Sequence, residues 1–287
     1  MRLKYDILIN ESNFGKFCEE YKMTAEQRKQ KISELLKEND SVRVTELSRL
    51  FNVSEVTVRS YLEDMEKKGL LTRVHGGAVS SYKPYYSMNL TQRLEANQTQ
   101  KVDIAEKIAT LIRPNDTVML NAGTTTLLTF RKFPSEYNLN IVTNSIAIAL
   151  EASSNPNYNV ILVGGAVNTK YQFTYGNDAV KQLSKYHADK LILSVDGIDP
   201  AQGFTTYYNK EATVDVAMIE QSAVRIIAAD HTKFGHVAFA KISDVSVADY
   251  IVTNNGADTS LLDALKESGV EIVTATSTYS PCGMSSD

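Results

Sequence analysis

Apolar positions recur at two different periods along this chain, and the change of period divides it. In residues 24–80 the period is mostly helical. Ile32, Leu35 and Leu36 share one face of a helix that starts after Thr24, a residue suited to N-capping, and breaks at Asn39-Asp40. Val42-Arg43-Val44 reads as a short strand. Thr45 then caps a helix carrying Leu47, Leu50 and Phe51, and Asn52-Val53 makes a tight turn. Ser54 caps a second helix, with Val56, Val58 and Leu62 toward the core and Met65 beyond, closed by Gly69. Leu70 to His75 is strand-like, and Gly76-Gly77 permits a hairpin. Two short helices, a tight turn and a hairpin in that order predict a small winged helix-turn-helix domain over residues 23–80.

From Lys101 the pattern changes to short apolar runs separated by helical stretches. The runs are Val118–Leu120, Ile141–Thr143, Val160–Val163, Leu191–Val195, Arg225–Ala229, Tyr250–Thr253 and Glu271–Thr274. Helical patterns lie at Ile104–Ile112, Ser145–Ala152, Lys210–Gln221 and Ser260–Lys266. This alternation predicts a larger α/β domain over residues 97–275, with a mainly parallel sheet covered on both faces. Residues 81–96, with Pro84 and several Tyr and Ser, read as a linker. Residues 1–22 show no clean period and read as a disordered extension, or as the product of an upstream start codon. Residues 276–287, rich in Ser and Thr, read as a disordered tail.

Composition narrows the function. The 287 residues and 43% hydrophobic content suit two globular domains. The net charge of −4 argues against a protein that coats nucleic acid by charge alone. That average conceals an asymmetry: residues 24–83 hold eleven Lys and Arg against nine Asp and Glu, a net of +2, so the rest carries −6. Only Cys18 and Cys282 are present, so neither a disulfide framework nor a four-ligand zinc site is available, and a reducing compartment is expected. No apolar run approaches the ~18 residues of a membrane span, and no signal peptide is evident, so a cytoplasmic location is expected.

In a winged helix-turn-helix the second helix presents its first residues to base edges in the major groove of double-stranded DNA. The candidates are Ser54, Glu55, Thr57, Ser60 and Tyr61, with Arg59 for a phosphate or a guanine. Arg73 and His75 flank the hairpin and could reach the backbone or the minor groove. A helical protein-interaction module of similar shape is the plainer alternative. Val53-Ser54 to Val58-Arg59, then Leu62, Met65-Glu66, Gly69-Leu70-Leu71 and Arg73-Val74-His75-Gly76-Gly77-Ala78 resemble the signature of the DeoR family of bacterial sugar-metabolism regulators. Ser60 and Tyr61 depart from the Arg and Asp usual there.

The resemblance continues to about residue 275, through Arg93, Lys101 and Ile104-Ala105. Asn121-Ala122-Gly123-Thr124-Thr125-Thr126 follows a strand and opens a helix, where backbone N–H groups would meet an anion, although a capped helix would look the same. Thr143-Asn144, Gly164-Gly165, Asp196-Gly197-Ile198-Asp199 and Asp230 also follow apolar strands, where open parallel sheets bind ligands. Turn capping is the alternative for Asp196 and Asp230.

The resemblance implies a fold similar to ribose-5-phosphate isomerase and a phosphorylated sugar as effector. Gly123, Thr124, Thr125 and Thr126 would hold the phosphate, and Asp196, Asp199, Glu211 and Lys233 would face the sugar. Asn121 stands where the family has Asp, and Asp215 where it often has Lys. An isomerase with an attached head would use similar residues, but it needs no winged helix. The expectation is therefore a repressor of a carbohydrate-metabolism operon, without catalysis or cofactor. No metal is expected, because His187, His231 and His236 lack ligand spacing. One head offers little interface, so a homo-oligomer, dimer or tetramer, is expected.

Overall fold

A computed structural model describes residues 23–39, 41–67, 70–80 and 88–276, and the chain divides into two compact units, residues 1–85 and 86–287. The expectations for residues 1–22, Gly69 and the tail beyond residue 276 fall outside the described residues.

The first unit runs α1 (Ala25–Asn39), β1 (Ser41–Arg43), α2 (Val44–Phe51), α3 (Glu55–Lys67), β2 (Leu71–Val74) and β3 (Gly77–Ser80). Thr24 and Gln27 cap α1 reciprocally, each accepting the other's backbone N–H. The strands form an antiparallel sheet in the order β1-β3-β2. Ile32, Leu47, Val58, Leu62, Met65 and Leu71 are its buried centre.

Three local expectations change. Val44 opens α2 instead of ending a strand, and Thr45 is not its cap. The Val44 N–H is met by the Gly76 carbonyl at 2.9 Å, so the hairpin backbone serves the helix start. Gly76 has φ +79°, and a Cβ on Gly77 would lie 2.1 Å from the Val42 carbonyl oxygen, so this junction requires both glycines. Val56 does not face the core. It is 77% exposed, because Val58, Leu62 and Met65 set the buried stripe of α3 and two residues back is the opposite face.

The second unit contains α4 (Leu90–Glu95), α5 (Gln98–Ala109), β4 (Thr117–Leu120), α6 (Thr124–Phe130), β5 (Leu139–Thr143), α7 (Ile146–Ala152), β6 (Tyr158–Leu162), β7 (Ala166–Asn168), β8 (Phe173–Tyr175), α8 (Asn177–Leu183), β9 (Ala188–Leu193), β10 (Gly197–Asp199), β11 (Gly203–Thr206), α9 (Asn209–Glu220), β12 (Ser222–Ala228), β13 (Ala240–Ser243), β14 (Tyr250–Asn254), α10 (Thr259–Glu267) and β15 (Glu271–Ala275). The seven apolar runs read from the sequence are the seven strands of one parallel sheet, ordered β15-β14-β12-β9-β4-β5-β6. Successive strand residues enter two different cores: Met119, Leu191 and Ile227 join one cluster, Val118, Ile192 and Ile226 the other. Helices therefore cover both faces. Helix α4 lies inside the stretch read as linker and packs on the second unit through α6.

The strand order reverses once. From β4 the chain moves outward to β5 and β6, then returns to lay β9 on the other side of β4 and continues to β15. The switch point lies between β4 and β9, and it is at such a point, beyond the carboxyl ends of the strands, that open parallel sheets bind ligands.

Candidate functional site

In the first unit, the start of α3 is fastened by Ser54, whose Oγ accepts the Thr57 N–H at 3.2 Å and lies 2.9 Å from the Thr57 hydroxyl. Glu55 and Arg59 form an exposed ion pair at 3.2 Å. Ser60 is exposed beside Arg59, and Val56 adds an apolar side chain to the exposed part of the helix. Tyr61, expected on the surface, is half-buried against the core, with its hydroxyl accepting from Arg28 at 3.0 Å. It holds α3 against α1. Arg73 is exposed and flanked by Glu63 and Glu66, at 3.9 and 3.8 Å, and His75 is exposed at the hairpin. The unit thus presents one helix start and one hairpin, mostly polar with Val56 and Val74 exposed among them, on a packed core.

In the second unit, Asn121 and Ser194 follow β4 and β9 across the switch point. The Ser194 N–H donates to Asn121 Oδ1 at 3.0 Å, and the Asn121 amide donates to the Ser194 carbonyl at 2.9 Å. The same amide donates to Asp215 Oδ1 at 3.2 Å, so Asn121 is spent within the protein. Gly123 is pressed onto Ser194: a Cβ there would stand 1.6 Å from Ser194 Oγ. The Gly123 N–H donates to Thr126 Oγ1 at 2.8 Å, and Thr126 is buried against the Asn121 and Gly123 carbonyls. What the turn has left to offer is the start of α6, Thr124 and Thr125, whose first-turn N–H groups have no helical acceptor.

Other positions singled out in the sequence separate into two sets. Thr143 ties β5 to the Leu120 carbonyl at 2.7 Å, Asn144 donates to the Thr174 carbonyl at 3.1 Å, and the Gly164 N–H donates to Gln182 at 2.9 Å. Gly165 lies against the Tyr175 carbonyl. Asp199 accepts the Ala201 and Gln202 N–H groups at 2.9 and 3.0 Å and so belongs to the β10–β11 turn. Asp230 caps the turn His231–Lys233 through the Thr232 N–H and hydroxyl, as the capping alternative had it.

Asp196 and Glu211, by contrast, come together. The Thr206 hydroxyl lies 3.3 Å from Asp196 Oδ2 and 2.9 Å from Glu211 Oε2. Burial, and then the Asp196 charge, push the Glu211 carboxyl up to about 8. Four residues on, one helical turn away, Asp215 is fully buried. Burial and Glu211 raise its carboxyl well above the usual range. Its Oδ2 has no hydrogen-bond partner among the described residues.

Sequence reading missed Arg93, Lys101 and Asp215 as site residues. Arg93 approaches Asp196 at 3.9 Å, stacks on Tyr171 at 4.2 Å, and is packed beside the Tyr171–Tyr208 pair. Lys101 is buried in α5, donating to the Arg93 and Ala96 carbonyls at 2.5 and 2.6 Å. Lys233 and Lys101 flank Asp230: burial works to raise that carboxyl, but the two ammonium groups and Thr232 outweigh it and hold it low. A lysine on an otherwise apolar helix face, Lys101 with Ile104 and Ile108, was the available signal. Among the described residues no group of three or more His, Cys, Asp or Glu is placed to hold a metal ion, and no helix is long and apolar enough to cross a membrane.

Residues 28–83 match the DeoR-like helix-turn-helix domain, and residues 96–255 the DeoR C terminal sensor domain. The uncharacterized HTH-type transcriptional regulator YulB of Bacillus subtilis is 33% identical over 250 residues, covering 87% of this chain and 96% of that protein. The putative aga operon transcriptional repressor of Escherichia coli O157:H7 is 31% identical over 249 residues, covering 86% and 93%. Among solved structures, ribose 5-phosphate isomerase A from Methanocaldococcus jannaschii is similar over 48% of this chain and 55% of that one, with TM-score 0.37 and 13% identity. That likeness adds nothing to the strand order. With a helix-turn-helix head and a sensor domain matched in sequence and in order, the chain belongs to the DeoR family of DNA-binding transcription regulators.

Proposed function

We propose that this regulator represses a carbohydrate-metabolism operon and is released from its operator by a phosphorylated sugar bound in the second unit. The carrying observation is the site at the β4/β9 switch point. There Asn121, which opens the Gly123 turn, is tied to Ser194, two residues before Asp196, and to Asp215 on the helix of Glu211, with Arg93 3.9 Å from Asp196. The turn suits a phosphate, and carboxylates with a guanidinium suit sugar hydroxyls. The first-turn N–H groups at Thr124 and Thr125 hold the phosphate; Asp196, Glu211 and Arg93 hold the ring. Lys233 and Lys101 keep the nearby strand ends positive around Asp230.

The head docks α3 in the major groove with Ser54, Glu55, Val56, Thr57, Arg59 and Ser60 toward the bases, and Arg73 and His75 of the hairpin on the backbone. Two heads are needed for tight specific binding, so the chain acts as a homo-oligomer joined through the second unit. The test is a titration of phosphorylated sugars into a fluorescent protein–operator complex. One of them releases the DNA at concentrations where its unphosphorylated form does not. If none does, and none raises the melting temperature, the sensing assignment is wrong; a ligand at 100 times its Kd adds about 2.7 kcal/mol.

A further inference from the structure

Three carboxyls gather beside the proposed sugar-phosphate site with too little positive charge to balance them. Glu211 and Asp215 are four residues apart on α9 and share a face of that helix. Asp196 meets Glu211 across the Thr206 hydroxyl, at 3.3 and 2.9 Å. Arg93 is the cation beside them, 3.9 Å from Asp196. Lys101 is committed to the Arg93 and Ala96 carbonyls, and Lys233 lies by Asp230. Asn121 reaches Asp215 with an amide, which carries no charge.

Asp215 is the telling member. It is 0% exposed, one oxygen is held by Asn121, and the other has no hydrogen-bond partner among the described residues. A buried carboxyl with an open oxygen is costly unless a proton or a cation meets it. Both Glu211 and Asp215 are shifted toward the protonated form, as a site short of positive charge requires. Through its other oxygen, Oδ1, Asp215 is joined by Asn121 to the strand end that opens the Gly123 turn.

Resting on the sugar-phosphate reading, we infer that the ligand is an amino sugar phosphate, its phosphate at the Gly123 turn and its ammonium group received by Asp215, Glu211 and Asp196. An ammonium brings three donors and one positive charge. A hydroxyl at the same ring position brings one donor and no charge, and an N-acetyl group brings bulk without charge.

Isothermal titration of the full chain at pH 7 tests this with D-glucosamine 6-phosphate, D-galactosamine 6-phosphate, the two corresponding hexose 6-phosphates, and N-acetyl-D-glucosamine 6-phosphate. A hexosamine phosphate binds on the order of tenfold to a hundredfold tighter than its hydroxyl and N-acetyl counterparts, the value of a charged hydrogen bond. Asp215→Asn, which keeps the side-chain volume, abolishes that preference, and Glu211→Gln weakens it through a second residue. Equal or tighter binding of the neutral sugars overturns the amine inference and leaves the sugar-phosphate reading standing. A preference that survives both substitutions overturns it as well. No binding by any of the five overturns the amine inference and leaves the sugar-phosphate reading to the operator-release titration.

Discussion

Asn121 and Ser194 clasp each other across the switch point of the sheet, backbone N–H to side-chain oxygen at 3.0 Å and side-chain amide to carbonyl at 2.9 Å. They lie in the two segments that leave the central strands β4 and β9, so the clasp fixes the distance between the two halves of the proposed site. Gly123 sits directly on Ser194, which makes the clasp sensitive to a single methyl group.

Gly123→Ala therefore destabilises the second unit by about 1–3 kcal/mol, the cost of an overpacked site, and weakens effector response. Ser194→Gly removes the atoms that the new Cβ meets. The double variant recovers most of the loss, and a double-mutant cycle on thermal melting shows a coupling of about 1 kcal/mol or more. Simple additivity of the two changes contradicts the contact.

Glu211 makes stability depend on pH. Its carboxyl titrates at about 8 in the folded protein against 4.5 when free, so the folded state prefers the protonated form. That contribution is complete below pH 4.5 and is lost as pH rises through 8. The second unit melts several degrees lower at pH 8.5 than at pH 6, and Glu211→Gln flattens the slope. An unchanged pH profile in that variant would show the titration belongs elsewhere.

Thr125→Glu places a carboxylate at the turn proposed for the phosphate. Operator binding persists and no longer responds to the sugar phosphate; because Thr125 is buried, a melting curve alongside reports whether the second unit stays folded. Lys233→Ala is a harsh variant, because Lys233 is buried. It removes one of the two ammonium groups beside buried Asp230, so it costs stability on the order of 3 kcal/mol as well as effector affinity.

On the DNA side, Arg59→Ala costs about 1–3 kcal/mol of operator binding and relaxes sequence preference. Arg73→Ala weakens specific and non-specific DNA alike, with a salt slope shallower by about 1. Val56→Asn leaves the melting temperature within experimental scatter, because Val56 is exposed, yet weakens the operator if a thymine methyl is its partner. Wild-type affinity in both arginine variants across salt would remove the docking proposal.

Sedimentation at micromolar concentration gives a species of at least two chains. Exposed Leu150 and Phe239 in the second unit are positions whose replacement by Lys shifts it toward monomer. A monomer with and without operator counts against the assembly.

Much of the architecture was legible in the sequence because period and punctuation are local. Seven apolar runs became seven parallel strands, and Ser54, Asn52 and Gly76-Gly77 marked the joints of the head. The helix face containing Val56 was misread because a short apolar cluster satisfies two nearby phases; only packing against Leu62 and Met65 selects one. Asp199 and Asp196 are three residues apart and look alike as residues. One went to a turn and the other to the cluster with Glu211, since the antiparallel pairing of β10 with β11 turns them to different neighbours.

By itself, the sequence determined the two-part order of the chain, the strands, the glycine turn and membership of the DeoR family, all carried by neighbouring residues. Tertiary structure decided which charges meet. Arg93, Asn121, Asp196, Glu211 and Asp215 span more than a hundred residues and converge because β4 and β9 became neighbours at the point where strand order reverses. Burial there makes one carboxyl with an open oxygen matter, and burial is a property of the packed chain that no residue type carries alone.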